Sequence, residues 1–236
     1  MELIKIFLMI TFILLKIPVI AIVASLMLIA PVILGTVNIR EVKKTPLMVI
    51  YLYLIVYVIV EIVAWYYALN GLQNHFITNL ASYLDVLFLG WYYYLILELT
   101  IFKKIVLCLV GLALIIIFWS HLATGRDFNR IDSFALSIEN ICIISMALLF
   151  FYQLLNTLEV QNLFTYSHFW IGIAILIYFS IVFFVEIYAE YVTFNKDESI
   201  IQYWQIKQYL TFIQRIFLAI GLWFSKTPQQ LSSSLK

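Results

Sequence analysis

The chain has 236 residues, 65% of them hydrophobic and 11% charged, with a mean hydropathy of +1.04 and a formal net charge of +1. A soluble domain is about half apolar and a quarter charged, so this composition describes a polytopic membrane protein. The near-zero charge without a basic tract excludes a nucleic-acid partner. No segment is long and polar enough to be a soluble catalytic domain.

The predicted elements follow in chain order. Residues 1–16 form an apolar N-terminal extension, interrupted by Lys5 and Lys16, with no A-x-A site after them. A cleavable signal peptide is therefore not expected. The first span is placed at 17–37, with residues 3–15 as an interfacial extension. One long helix kinked near Pro18 and Pro31 is the alternative. The loop NIREVKKTP follows, carrying Arg40, Lys43 and Lys44. The second span is 46–69, with Glu61 inside it, and leads into the loop NGLQNHFITN. The third is 78–101, with Asp85 inside and Glu98 near its end, and Lys103 and Lys104 follow. The fourth is 104–122. The loop TGRDFNRID then balances Arg126 and Arg130 against Asp127 and Asp132. The fifth span, 133–155, holds Glu139 and Asn140. The sixth, 168–190, has Glu186 and Glu190 near its end. The seventh is 203–224, and residues 226–236 read as a disordered polar tail. About 20 apolar residues cross a bilayer as a helix. The expected fold is thus an all-α bundle of seven transmembrane helices.

Lysine and arginine orient the set. Arg40, Lys43, Lys44, Lys103, Lys104 and Lys226 all fall on one side of a seven-span chain. The positive-inside rule makes that side cytoplasmic, with the N-terminus outside an inner membrane and the C-terminus within. Trp65, Tyr66, Tyr67, Trp119, Trp170 and Trp223 lie near predicted interfaces, as aromatic belts do.

The seventh helix carries the strongest signal. At about 100° per residue, Trp204, Lys207, Gln208, Thr211, Gln214 and Arg215 share an arc of roughly 120°. The rest of that helix is apolar. Lipid does not solvate an arginine, so this stripe faces protein or a water-filled cavity. At about 1.5 Å per residue, Glu61, Asp85, Glu139, Glu186, Lys207 and Gln208 lie in the outer half, above Arg215 near the midplane. Tyr57, Glu61, Trp65 and Ala68 align on the second helix. Thr78, Ser82 and Asp85 align on the third, and Ser133, Ser137 and Asn140 on the fifth. Glu139 is turned about 100° from Asn140 and is assigned a different neighbour. Arg215 is expected to pair with Glu61 first, or with Asp85.

Three readings of this constellation compete. The buried charges form a structural clamp, or they line an outward-facing pocket for a small ligand or ion in a sensor. The third is a proton or ion path in a transporter. Transporters usually show internal repeats and broken helices. No repeat is evident, and only Pro18 and Pro31 are placed to break a helix. An intramembrane enzyme ranks behind all three.

Other motifs are weak. His75, His121 and His168 have no ligand spacing and are read as surface histidines. Cys108 and Cys142 sit in apolar spans at different depths and are read as unbridged core residues. The run Trp91-Tyr92-Tyr93-Tyr94 is read as core packing. No GxSxG, HExxH, P-loop, CxxC or zinc spacing occurs, so neither a catalytic residue nor a cofactor is assigned. Lys207 lies near the outer end of the last helix while Arg215 holds its middle, which argues against a retinal Schiff base.

The stretches HFWIGIAILIYFS (His168–Ser180) and LAIGLWF (Leu218–Phe224) resemble a family of small seven-helix membrane proteins found in Bacteroidota. The acids in helices two, three and five, and the basic residue before the last apolar run, are similar too. The resemblance covers most of the chain from about residue 18. It implies the seven-helix fold and, because members are often encoded beside sensor histidine kinases, such a kinase as a partner. Its motifs are structural and imply no chemistry. The combined expectation is a sensory or accessory membrane subunit, without an output domain in these residues, that signals through a separate partner.

Overall fold

A computed structural model describes residues 18–123, 132–157, 162–195 and 200–226. The N-terminal extension, most of the TGRDFNRID loop and residues 227–236 of the tail lie outside the described residues. The chain is all-α, and it is a multi-pass membrane protein. Five segments are long and apolar enough to cross a bilayer: Val19–Val37, Leu47–Leu69, Thr100–Ser120, Ser133–Thr157 and Ser167–Tyr188.

The first of these is broken. Helix α1 (Val19–Met27) stops at Leu28, and α2 (Ile29–Val37) resumes. Pro31 has no N–H for the carbonyl of Met27, and its ring crowds that turn. The Leu28 N–H bonds back to Ser25 O at 3.1 Å rather than to Ala24. The Ala24 carbonyl is thereby freed from the helix ladder.

A short helix, α3 (Ile39–Val42), leads into α4 (Leu47–Leu69). The chain leaves α4 through Gly71 at φ 67°, a left-handed conformation that only glycine adopts without strain. Helix α5 (His75–Ile96) begins inside the stretch expected to be a loop and ends five residues early. Glu98 therefore sits in the link to α6 (Thr100–Ala123), and Lys103 and Lys104 belong to the first turns of α6. The Gln153 carboxamide explains that break, because its Oε1 accepts the Glu98 N–H at 2.9 Å. Helix α7 (Ser133–Thr157) starts at a cap: Asp132 Oδ1 accepts the Ala135 N–H at 3.1 Å, the usual acidic N-cap contact. Helix α8 (Ser167–Asn195) runs five residues past its expected end. Helix α9 (Ile200–Trp223) completes the set.

Helices α5 and α9 have 22 and 24 residues, the length of a span, yet fall outside the five apolar ones. Their polar residues explain this. Asn79, Ser82 and Asp85 lie on α5, and Lys207, Gln208, Gln214 and Arg215 on α9.

The α1–α2 column, α4, α5, α7, α8 and α9 pack in sequence as a closed ring, and α9 returns to α1–α2. Helix α6 lies outside it, against α5 and α7. Accordingly, Ile115, Phe118 and Trp119 on α6 are more than half exposed, as lipid-facing side chains are. One half of the ring is solid. Leu47, Ile50, Tyr92, Tyr93, Ile143, Met146, Phe150, Ile171 and Leu222 form its apolar core, at the end that carries Arg40, Lys43, Lys44, Lys103 and Lys226. Helix α9 approaches α8 closely there. A methyl group added at Gly221 would stand 2.7 Å from Ile171 Cγ1.

Two assignments are corrected by this packing. Cys108 is exposed on the lipid-facing side of α6, whereas Cys142 is buried, and both are free. His168 is no surface residue. It is 4% exposed at the start of α8, and its Nδ1 lies 2.9 Å from the Tyr92 hydroxyl. In the aromatic run Tyr92 and Tyr93 are fully buried, while Trp91 and Tyr94 face outward.

Candidate functional site

The other half of the ring is hollow. A cavity of about 330 Å³ lies between the helices, room for on the order of ten waters at about 30 Å³ each. Its floor is Leu28, Tyr53, Leu54, Phe179 and Leu218, which also belong to the apolar core. Its lining climbs to Ala68 and Asn74, at the helix ends opposite the lysine-rich end. Every ring column contributes, and α6 does not.

All nine expected polar residues reach this cavity: Glu61, Asp85, Glu139, Asn140, Glu186, Lys207, Gln208, Thr211 and Arg215. Gln214 joins them from the α9 stripe. The side chain of Trp204 lies outside the described residues. The aligned faces of α4 and α5 enter as expected. The face of α7 does not. Leu136, Glu139 and Asn140 line the cavity, whereas Ser137 bonds back to Ser133 O at 2.7 Å. Glu139 and Asn140 therefore share a neighbour rather than facing different ones, because α7 presents the edge between them to the ring centre.

Arg215 is 5% exposed. Its Nη2 bonds Glu61 Oε1 and its Nη1 bonds the Ala24 carbonyl. The expected pairing with Glu61 is thus present, and the arginine also satisfies the carbonyl that the Leu28 break releases. Glu61 is held from a second side. Ser25 Oγ donates to its Oε2 at 2.9 Å, and Trp65 Nε1 donates to that hydroxyl at 3.0 Å. One network therefore joins α1, α4 and α9. Lys207 Nζ lies 2.5 Å from Glu186 Oε1 and joins α9 to α8. Thr211 spends its hydroxyl on the Lys207 carbonyl at 2.9 Å.

Asp85 has a different shell. Tyr53 donates to its Oδ1 at 3.0 Å, and Tyr57 donates to the same oxygen. Its carboxyl also lies beside that of Glu139. Ser82 stands next to Glu139, yet its buried Oγ has no hydrogen-bond partner.

Sequence reading missed Ser25, Tyr53 and Tyr178, which all line the cavity. Tyr53 stands four residues before Tyr57 and eight before Glu61, so extending the α4 face by one turn finds it. Ser25 carries no comparable signal, being one hydroxyl in an apolar run. No group of three or more histidine, cysteine or acidic side chains suited to a metal occurs among the described residues. Comparison of the chain with protein-family models, with curated proteins and with solved structures finds no match.

Proposed function

We propose that this protein is a seven-span receptor of the inner membrane, a sensory or accessory subunit that holds a small solute in the outward-facing cavity. Its N-terminus lies outside and its C-terminus in the cytoplasm. Helices α5 and α9 are the two further spans, and their polar faces are sheltered in the ring. What carries the reading is the shape of the polar space. It is a blind pocket, lined by charge on one side of the membrane and stopped by an apolar core on the other. Ligand sites are concave, of about 300–1,000 Å³, with a few placed polar groups. A receptor of this kind passes its state to a partner, and the resemblance of His168–Ser180 and Leu218–Phe224 to the Bacteroidota family makes that partner a histidine kinase.

One observation favours a transporter as the second reading. The α1–α2 column is discontinuous beside the cavity, and broken helices commonly build transport sites. Reconstitution in liposomes separates the two. The receptor is expected to bind without moving protons or ions and to co-purify with a kinase. Robust flux that Asp85→Asn abolishes would sink the receptor reading.

A further inference from the structure

Charge in the cavity is unequal. Four carboxylates line it, Glu61, Asp85, Glu139 and Glu186, against two cations, Lys207 and Arg215. Each cation is hydrogen-bonded to one carboxylate. That leaves Asp85 and Glu139 together, with no cation hydrogen-bonded to either among the described residues. Lys207 stands within electrostatic reach of both, but its hydrogen bond goes to Glu186. Two carboxylates in contact repel unless a proton or another positive group stands between them. Even with a proton shared between them, the pair keeps one negative charge that neither cavity cation hydrogen-bonds.

A second, independent observation lies beside them. Ser82 is 3% exposed, lines the same cavity, and its hydroxyl stands beside the Glu139 carboxyl without making a hydrogen bond of normal geometry. Buried hydroxyls are normally satisfied, so an orphan inside a cavity marks a place for an absent group. Both tyrosines bond Asp85 Oδ1, and neither donates to Oδ2. The patch therefore offers oxygen acceptors from Asp85, Glu139 and Ser82, and the cavity wall around it includes Tyr57, Trp65 and Tyr178.

We infer that the cavity binds a small organic ammonium ion, with its charged head between Asp85, Glu139 and Ser82. This deepens the receptor reading and rests on it. An ammonium group carries three donors and no acceptor, which matches three oxygens in one patch. Aromatic faces attract organic cations. A divalent metal would find two carboxylates and, among the described residues, no third histidine, cysteine or acid, fewer than its usual shell. An anion would have to displace a carboxylate from Arg215 or Lys207.

The test uses the purified full-length protein in detergent and an amine-free buffer. Thermal unfolding is followed with ethylamine, ethanolamine and butylamine, with acetate and propionate, with the matching alcohols, and with sodium and calcium chloride. Amines alone are expected to raise the Tm, saturably, as a ligand of the folded state does. Glu139→Gln is expected to weaken the effect roughly tenfold or more, the loss of a charge-assisted contact. Ser82→Ala, a milder change that keeps the charges, weakens it several-fold. Stabilisation by acids or alcohols but not amines overturns the ammonium assignment and leaves the receptor pocket standing. Stabilisation by the inorganic salts alone overturns it in favour of a metal or sodium site. Amine binding that is unchanged in both variants places the amine elsewhere and overturns it as well. No stabilisation by any probe overturns both the assignment and the receptor reading.

Discussion

Tyr92 and Tyr93 are neighbours on α5, both fully buried, and their hydroxyls have opposite fates. The Tyr92 hydroxyl shares a hydrogen bond with His168 Nδ1, whereas that of Tyr93 has no partner. Tyr92→Phe strands a buried imidazole nitrogen and is expected to destabilise by about 1–3 kcal/mol. Tyr93→Phe removes an unsatisfied hydroxyl and is expected to be neutral or stabilising. Thermal unfolding in detergent checks the contrast, and equal losses would contradict it. The Arg215–Glu61 pair supports a second residue-scale prediction. Arg215→Leu leaves Glu61, whose side chain is a quarter exposed to the cavity, without its cation. Half-broken pairs cost about 3–5 kcal/mol when fully buried, so a loss of at most that size is expected. Arg215→Leu with Glu61→Leu removes both charges and should recover much of that loss. Recovery is expected to fall short of complete, because the Ala24 carbonyl also loses its donor. A double-mutant cycle measures the coupling. Additive losses would show that Arg215 is solvated by cavity water instead.

At the scale of the element, the break at Leu28 and the position of Arg215 are one feature. Pro31 opens the turn, Leu28 turns back to Ser25, and the freed carbonyl becomes the second acceptor of the guanidinium. Pro31→Ala is therefore expected to let α1 and α2 merge and to return the Ala24 carbonyl to the helix ladder. In that background Arg215→Leu should cost less than in the parent, by about 1 kcal/mol, the net worth of one hydrogen bond. A Pro31→Ala/Arg215→Leu cycle on thermal stability reads it, and strict additivity would mean that the break and the arginine are independent. The same scale explains why α9 tolerates its stripe. One face meets α8, where Trp170 and Phe217 stack at 5.8 Å. The polar face meets the cavity, where Arg215 and Lys207 find carboxylates.

For the whole molecule, the division into a solid half and a hollow half places the polar cavity at the end of the ring opposite the lysine-rich end. On the orientation proposed from the lysine bias, the cavity end is external. In a Cys108→Ser/Cys142→Ala background, Thr78→Cys on the cavity wall is expected to react with a membrane-impermeant maleimide added outside intact cells. A fluorescent protein fused after Lys236 should fluoresce, as cytoplasmic fusions do. Labelling of the Thr78→Cys variant only after lysis, with a dark fusion, would invert the orientation.

Much of this was readable from sequence because membrane insertion constrains a chain locally. Apolar length marks a span wherever it falls, and lipid does not solvate Arg215, Glu61 or Asp85, so these residues point inward whatever the packing. The faces of α4 and α5 followed from helical period alone. The tertiary structure decided what depends on contacts between distant segments. Glu139 rather than Ser137 enters the cavity because α5 and α8 set the rotation of α7. Ser25 reaches Glu61 across 36 positions of sequence, and nothing local marks it. His168 is buried because Tyr92 lies opposite, and Cys108 is exposed because α6 packs outside the ring. Boundaries shifted where a side chain from another helix, such as Gln153 at Glu98, satisfies backbone that a longer helix would have satisfied itself. Periodicity reports which residues share a face, and only the neighbours decide which face is inside.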